Sequence, residues 1–159
     1  MTLAASSKKK IQHLVETYDK IYIALKVLDH PTIDRLADLW VQARKKYVDV
    51  LENRVMGVKS SALIVGLEQG LRELPLIIDG LPALVAKEAQ IVYQKIMAIE
   101  WPNLLENDAV VIKRIVESGD IKSESEYRLV KLFIDRIENK GSGDMLKKLY
   151  ILVDKYEKK

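Results

Sequence analysis

The sequence predicts an all-α protein, a single-domain bundle of six or seven helices, and three observations carry that expectation. Apolar residues recur at three- and four-residue intervals through most of the 159-residue chain. Alternating β-branched runs are nearly absent, and only four prolines and seven glycines interrupt the periodicity. A chain of this length buries roughly 70% of its unfolded surface on folding, enough for a core without a disulfide or metal staple. One domain over residues 1–159 is therefore expected, a helical core over 1–104 with C-terminal helices over 105–159 packed on it.

The first helix begins near Ser6 or Ser7, with Ile11, Leu14, Val15, Tyr18, Ile21, Tyr22, Leu25 and Leu28 repeating at three and four residues. Lys8, Lys9 and Lys10 stand in its first turn, the unfavourable end of the helix dipole for cations. Asp29-His30-Pro31 ends it, and Pro31 or Thr32 opens a second helix through Ile33, Leu36, Trp40, Ala43, Tyr47 and Leu51 to about Arg54. Gly57 is the expected C-cap, with Ser60 or Ser61 capping the next helix.

That third segment, about 60–79, is the expected centre of the bundle. On a helical wheel Leu63, Ile64, Leu67, Leu71 and Leu74 share one arc, and Ala62, Gly66 and Gly70 the arc beside it. Two interior glycines cost about 0.8–1 kcal/mol each relative to alanine, which predicts a compensating close approach of another backbone. Pro75 should kink or stop the helix before it resumes as far as Asp79-Gly80.

A fourth helix follows Pro82, with Leu84, Val85, Glu88, Ile91, Val92, Lys95, Ile96 and Ile99 as a mixed but mainly apolar face, and ends at Trp101-Pro102; Asn103 to Asn107 read as a break. A fifth runs from about Asp108 to Ser118, with Gly119 as its left-handed cap. Ser123-Glu124-Ser125-Glu126 is a capping box. It opens an αα-hairpin over about 123–157, with Gly141-Ser142-Gly143 as its turn.

Composition excludes much chemistry. No cysteine is present, which removes disulfides, thiolate zinc sites and cysteine nucleophiles, and makes the cytoplasm the expected location. The N-terminal lysines follow small residues and precede an interleaved pattern, so no secretory leader is read there. The most lipid-like stretch, Leu74 to Ala86, is too short to span a bilayer and holds Asp79 and two prolines, so no membrane partner is expected. Net charge is +3, too small an excess to argue for nucleic acid by itself.

Of the two histidines, His13 and His30, neither has a glutamate three residues before it, which removes the di-iron bundle pattern. His13 is placed on the polar face of the first helix and His30 in a solvated turn. Gly66-Leu67-Glu68-Gln69-Gly70 lacks the third glycine of a dinucleotide fingerprint, and no serine stands in a nucleophile elbow. No catalytic residue, cofactor or metal is assigned.

Two groups of polar residues remain. Glu73 projects on the wheel into the glycine arc with Gln69 one turn behind it, and Arg54 or Lys59 is its expected partner, because an unpaired buried carboxylate costs several kcal/mol. Arg44, Lys45 and Lys46, with Arg54, Lys59 and Tyr47 beside them, form the densest basic neighbourhood, a candidate nucleic-acid surface whose plainer reading is a solvated helix face. Glu68 and Arg72 read as an ordinary outer-face pair. The leading functional expectation is a non-enzymatic interaction or regulatory module of the bacterial-adaptor kind, its partner another protein or a second copy of itself. Nucleic-acid binding through the region from Arg44 to Lys59 is the alternative, and small-molecule binding or catalysis around Glu73 and Gln69 the second alternative.

Overall fold

The computed structural model describes residues 4–55, 57–138 and 143–159, and the side chains of all of these except 105 and 106. Among the described residues the chain is all-helical, with seven helices and no strand. They are α1 (Ala5–Lys26), α2 (Pro31–Leu51), α3 (Ser60–Asp79), α4 (Ala83–Glu100), α5 (Leu104–Ser118), α6 (Glu124–Ile137) and α7 (Gly143–Glu157). They form two compact units, Met1–Trp101 and Pro102–Lys159.

In the first unit the helix that touches all three others is α1, which packs on α2, α3 and α4, while α3 also packs on α4. It buries seven residues, Ile11, Leu14, Val15, Thr17, Tyr18, Ile21 and Leu25. The expected central helix at 60–79 is present as α3 and buries four, Leu67, Leu71, Leu74 and Ile78. The close backbone approach expected at its two glycines is corrected. Gly66 is exposed, and a Cβ built on it would meet nothing within 4 Å. At Gly70 the neighbour is a side chain: a Cβ there would lie 2.1 Å from the Tyr18 hydroxyl. That hydroxyl donates to the Leu67 carbonyl at 2.6 Å, so Gly70 is the space through which a phenol reaches the α3 backbone.

Pro75 stands inside α3, which continues to Asp79. Proline has no N–H to give the carbonyl four residues back, that of Leu71. The Tyr93 hydroxyl of α4 supplies the missing donor at 2.7 Å. Gln90 of α4 donates to the Pro75 carbonyl at 2.9 Å and to Asp79 Oδ1 at 2.8 Å.

Several helix ends differ from expectation. Asn53, not Gly57, terminates α2. Its φ is 59°, its N–H donates to the Val50 carbonyl, and Arg54 N–H donates to that of Asp49, the paired bonds of a Schellman cap. Lys59, not a serine, is the N-cap residue of α3, without a side-chain cap bond. The expected break at Asn103–Asn107 is the first turn of α5, where Asn107 N–H donates to the Asn103 carbonyl.

In the second unit α6 packs on α7, and α5 on both. The core contains Ile112, Ile115, Ile121, Val130, Ile134, Leu149, Leu152 and Val153. Gly119 is left-handed at φ 74°. Ser123 Oγ accepts from Glu126 N–H at 3.2 Å, but the Glu126 carboxylate reaches one residue further back than a standard box, to Lys122 N–H at 3.0 Å. Stacking of Tyr127 on Tyr156 at 4.8 Å ties the start of α6 to the end of α7, the expected hairpin. Gly141 and Ser142 of its turn lie outside the described residues.

Candidate interaction surface

The structure separates the residues that sequence placed together around Glu73. Glu73 is exposed, not at the edge of burial, and its carboxylate accepts from Gln69 Nε2 at 3.0 Å within α3. Arg54 pairs instead with Glu52 at 2.6 Å and Asp49 at 3.5 Å, and Lys59 is exposed. The physical reason is the orientation of α3. Ala62, Gly66 and Glu73 all face water, whereas Glu68 and Arg72, expected outside, are largely covered, and Glu68 meets Lys10 of α1 at 3.1 Å. Nothing covers the arc at Gly66, and the exposed Glu73 carboxylate needs no cation.

The basic neighbourhood is partly consumed by packing. Arg44 Nε donates to both carboxylate oxygens of Asp19 at 3.0 Å, and Trp40 Nε1 donates to Asp19 Oδ1 at 2.8 Å. Tyr47 stacks on Trp40 at 6.0 Å, and Trp40 stacks on Tyr18 at 4.5 Å and Tyr22 at 6.5 Å. Burial pushes the Tyr18, Tyr22 and Tyr47 phenols up from their ordinary range, so the cluster is neutral. Arg44, Lys45 and Arg54 do border one hollow of about 280 Å³, with Val41, Val48 and Asp49. Lys45 and Lys46 are exposed.

Both histidines are more engaged than their sequence positions imply. His30 is the N-cap of α2, its Nδ1 accepting from Thr32 N–H at 3.2 Å. His13 stacks on Trp101 at 4.3 Å, and its Nε2 meets Glu100 Oε2 at 2.8 Å. A carboxylate only accepts, so Nε2 carries the hydrogen. Lys20 donates to the other Glu100 oxygen at 2.6 Å. This hydrogen bond first, and that of His13 second, hold the Glu100 carboxyl below its usual value. The nearby hydroxyl, Thr17 Oγ1, is fully buried, donates to the His13 carbonyl and accepts from Trp101 Nε1 at 2.8 Å. Its proton is directed to a backbone carbonyl, not to a side-chain base.

Among the described residues no cluster of three His, Cys, Asp or Glu side chains is arranged to hold a metal, and no buried side-chain nitrogen or oxygen lacks a partner. Among the described residues no orphaned polar group marks a ligand cradle.

Among the exposed large apolar residues of the described chain, three stand on the outer face of α4. Its inner face buries Ala89, Tyr93 and Met97. On the opposite side Leu84, Ile91 and Ile99 are 81%, 45% and 78% exposed, at positions that lie within about 80° of one another on the helix. Exposed Glu88 and Lys95 stand between them, so the face is mixed where a surface helix ordinarily turns mainly charge to water. The face expected to be this helix's apolar one is the face that the structure turns outward at Leu84, Glu88, Ile91, Lys95 and Ile99, because the core takes Ala89, Tyr93 and Met97 instead. No family model, curated protein or solved structure matches the chain.

Proposed function

We propose that this chain is a non-enzymatic protein-interaction module and that α4 is its docking element. The observation that carries the reading is the exposure of Leu84, Ile91 and Ile99 on a helix whose other face is already in the core. Covering Leu84 and Ile99 removes most of two large aliphatic side chains from water, a gain on the order of 3–5 kcal/mol. No comparable gain attaches to the polar groups. Arg44 already has Asp19, Tyr47 already has Trp40, and Glu73 is a solvated carboxylate, so nucleic-acid and small-molecule readings rank below it. No helix among the described residues is long and apolar enough to cross a membrane. The reading extends to a protein partner in the cytoplasm, for which the cysteine-free sequence is the support.

The test is a photoreactive residue at position 91, irradiated in cells, with one at exposed position 46 of α2 as the control. A protein adduct at 91 and none at 46 is expected. Equal labelling at both positions, or none at 91, overturns the reading.

A further inference from the structure

We propose that the partner of the α4 outer face is the same face of a second copy of this chain, packed antiparallel about a two-fold axis. The inference rests on the interaction reading above and names its partner. Along the exposed strip the order is Leu84, Glu88, Ile91, Val92, Lys95, Ile99, and all six lie within an arc of about 100°. Glu88 and Lys95 are both exposed, and Val92 is half-buried.

The strip is complementary to itself only when reversed. Turning a second copy end for end about the point midway between Ile91 and Val92 sets Leu84 opposite Ile99, Ile91 opposite Val92, and Glu88 opposite Lys95. Two-fold symmetry then makes every pairing twice, so both carboxylates meet an ammonium and both apolar ends meet an apolar end. In the parallel arrangement Glu88 faces Glu88 and Lys95 faces Lys95, and like charges in apposition oppose association. The charge order thus selects one orientation as well as one occupant. The buried face of α4, Ala89, Tyr93 and Met97, points away from the strip, so docking requires no change within the unit.

The strip is about 22 Å long from Leu84 to Ile99. A single helix of that length covers less than the ~800 Å² per partner of a stable interface. The dimer is therefore a weak one, dissociating in the micromolar range or above, and its central charge pairs make it sensitive to salt.

The experiment is sedimentation velocity of the full chain over a wide concentration range at low salt. The wild type should rise from monomer towards twice its mass. Glu88→Lys places two lysines face to face, and Lys95→Glu two glutamates, so each variant alone should associate about tenfold more weakly or worse. Mixing the two in equal amounts restores both opposite-charge pairs in the heterodimer and should return the association. Ile91→Asp should abolish it, with circular dichroism confirming unchanged helix. A wild type that stays monomeric at every concentration overturns the proposal. So does association indifferent to both charge reversals, or a mixture that fails to recover. The photoreactive residue at position 91 separates the two readings. An adduct with a different protein, together with a monomeric wild type, removes the second copy and leaves the interaction module, whereas no adduct and no association remove both.

Discussion

Gly70→Ala is expected to destabilise the first unit even though the same change usually stabilises a helix. Alanine in place of an interior glycine gains about 0.8–1 kcal/mol. Here the new methyl would sit 2.1 Å from the Tyr18 hydroxyl, so the phenol must withdraw. Withdrawal strands a buried hydroxyl from its Leu67 acceptor, at about 1–3 kcal/mol. It also disturbs the stack on Trp40, an overpacking cost of about 1–3 kcal/mol. The net loss is about 1–5 kcal/mol. Gly66→Ala, with nothing within 4 Å, should instead gain about 0.5–1 kcal/mol. Tyr18→Phe removes the obstructing oxygen at about 0.5–1.5 kcal/mol. In that background the next ring atom lies 3.4 Å from the methyl, ordinary contact, so Gly70→Ala should turn neutral or stabilising. Urea denaturation followed by tryptophan fluorescence reads this unit selectively, because both tryptophans, Trp40 and Trp101, belong to it. A Gly70→Ala midpoint raised as for Gly66→Ala, or a penalty unchanged by Tyr18→Phe, refutes the reasoning.

Tyr93→Phe leaves the Leu71 carbonyl without the donor that Pro75 cannot provide and should cost about 1–3 kcal/mol. Adding Pro75→Ala restores a backbone N–H and should recover part of that loss in the same urea assay. Asn53→Ala, at φ 59°, should lower stability by about 1 kcal/mol and Asn53→Gly should raise it or leave it unchanged, so equal thermal midpoints for the two would contradict the Schellman cap. The Glu100 carboxyl is held below its usual 4.5 by Lys20 and His13. A depressed folded value contributes stability that is complete above the unfolded value and lost as pH falls through the folded one. The gap in urea midpoint between wild type and Glu100→Gln should therefore be full at neutral pH and shrink below about pH 4.5; a gap constant down to pH 3 would contradict it.

Helical periodicity was legible because most apolar stripes in this chain face a core, and the capping residues Gly119 and Ser123 act through local geometry that sequence displays directly. The identity of the innermost helix was not. α3 looks the more buried because its apolar residues are many, yet Val65 and Ile77 among them face water. Helix α1 buries Thr17 and Tyr18, polar by type, each made compatible with burial by a bond to a backbone carbonyl that no wheel reveals. Glu73 was misplaced for a related reason. Small neighbours at Ala62 and Gly66 suggest close packing, but small residues sit equally well where nothing packs. The Asp19 acceptor shared by Trp40 and Arg44 joins residues 21 and 25 positions apart, a distance at which one sequence offers no pairing rule. The α4 strip lay open to reading, since its charges and aliphatics are already in symmetric order, but only the buried positions Ala89, Tyr93 and Met97 say which face is outside.

The contact between Pro75 and its neighbours also bears on alignment. Two helices joined by greasy ridges alone can slip past each other by one turn, about 5.4 Å, with little change in the area they cover. Between α3 and α4 that slippage is barred, because it would carry the Tyr93 oxygen away from the one carbonyl that an imino acid has left vacant. A residue that weakens α3 on its own thereby gives α4 an address, and with it fixes where along the molecule the Leu84 to Ile99 strip is displayed.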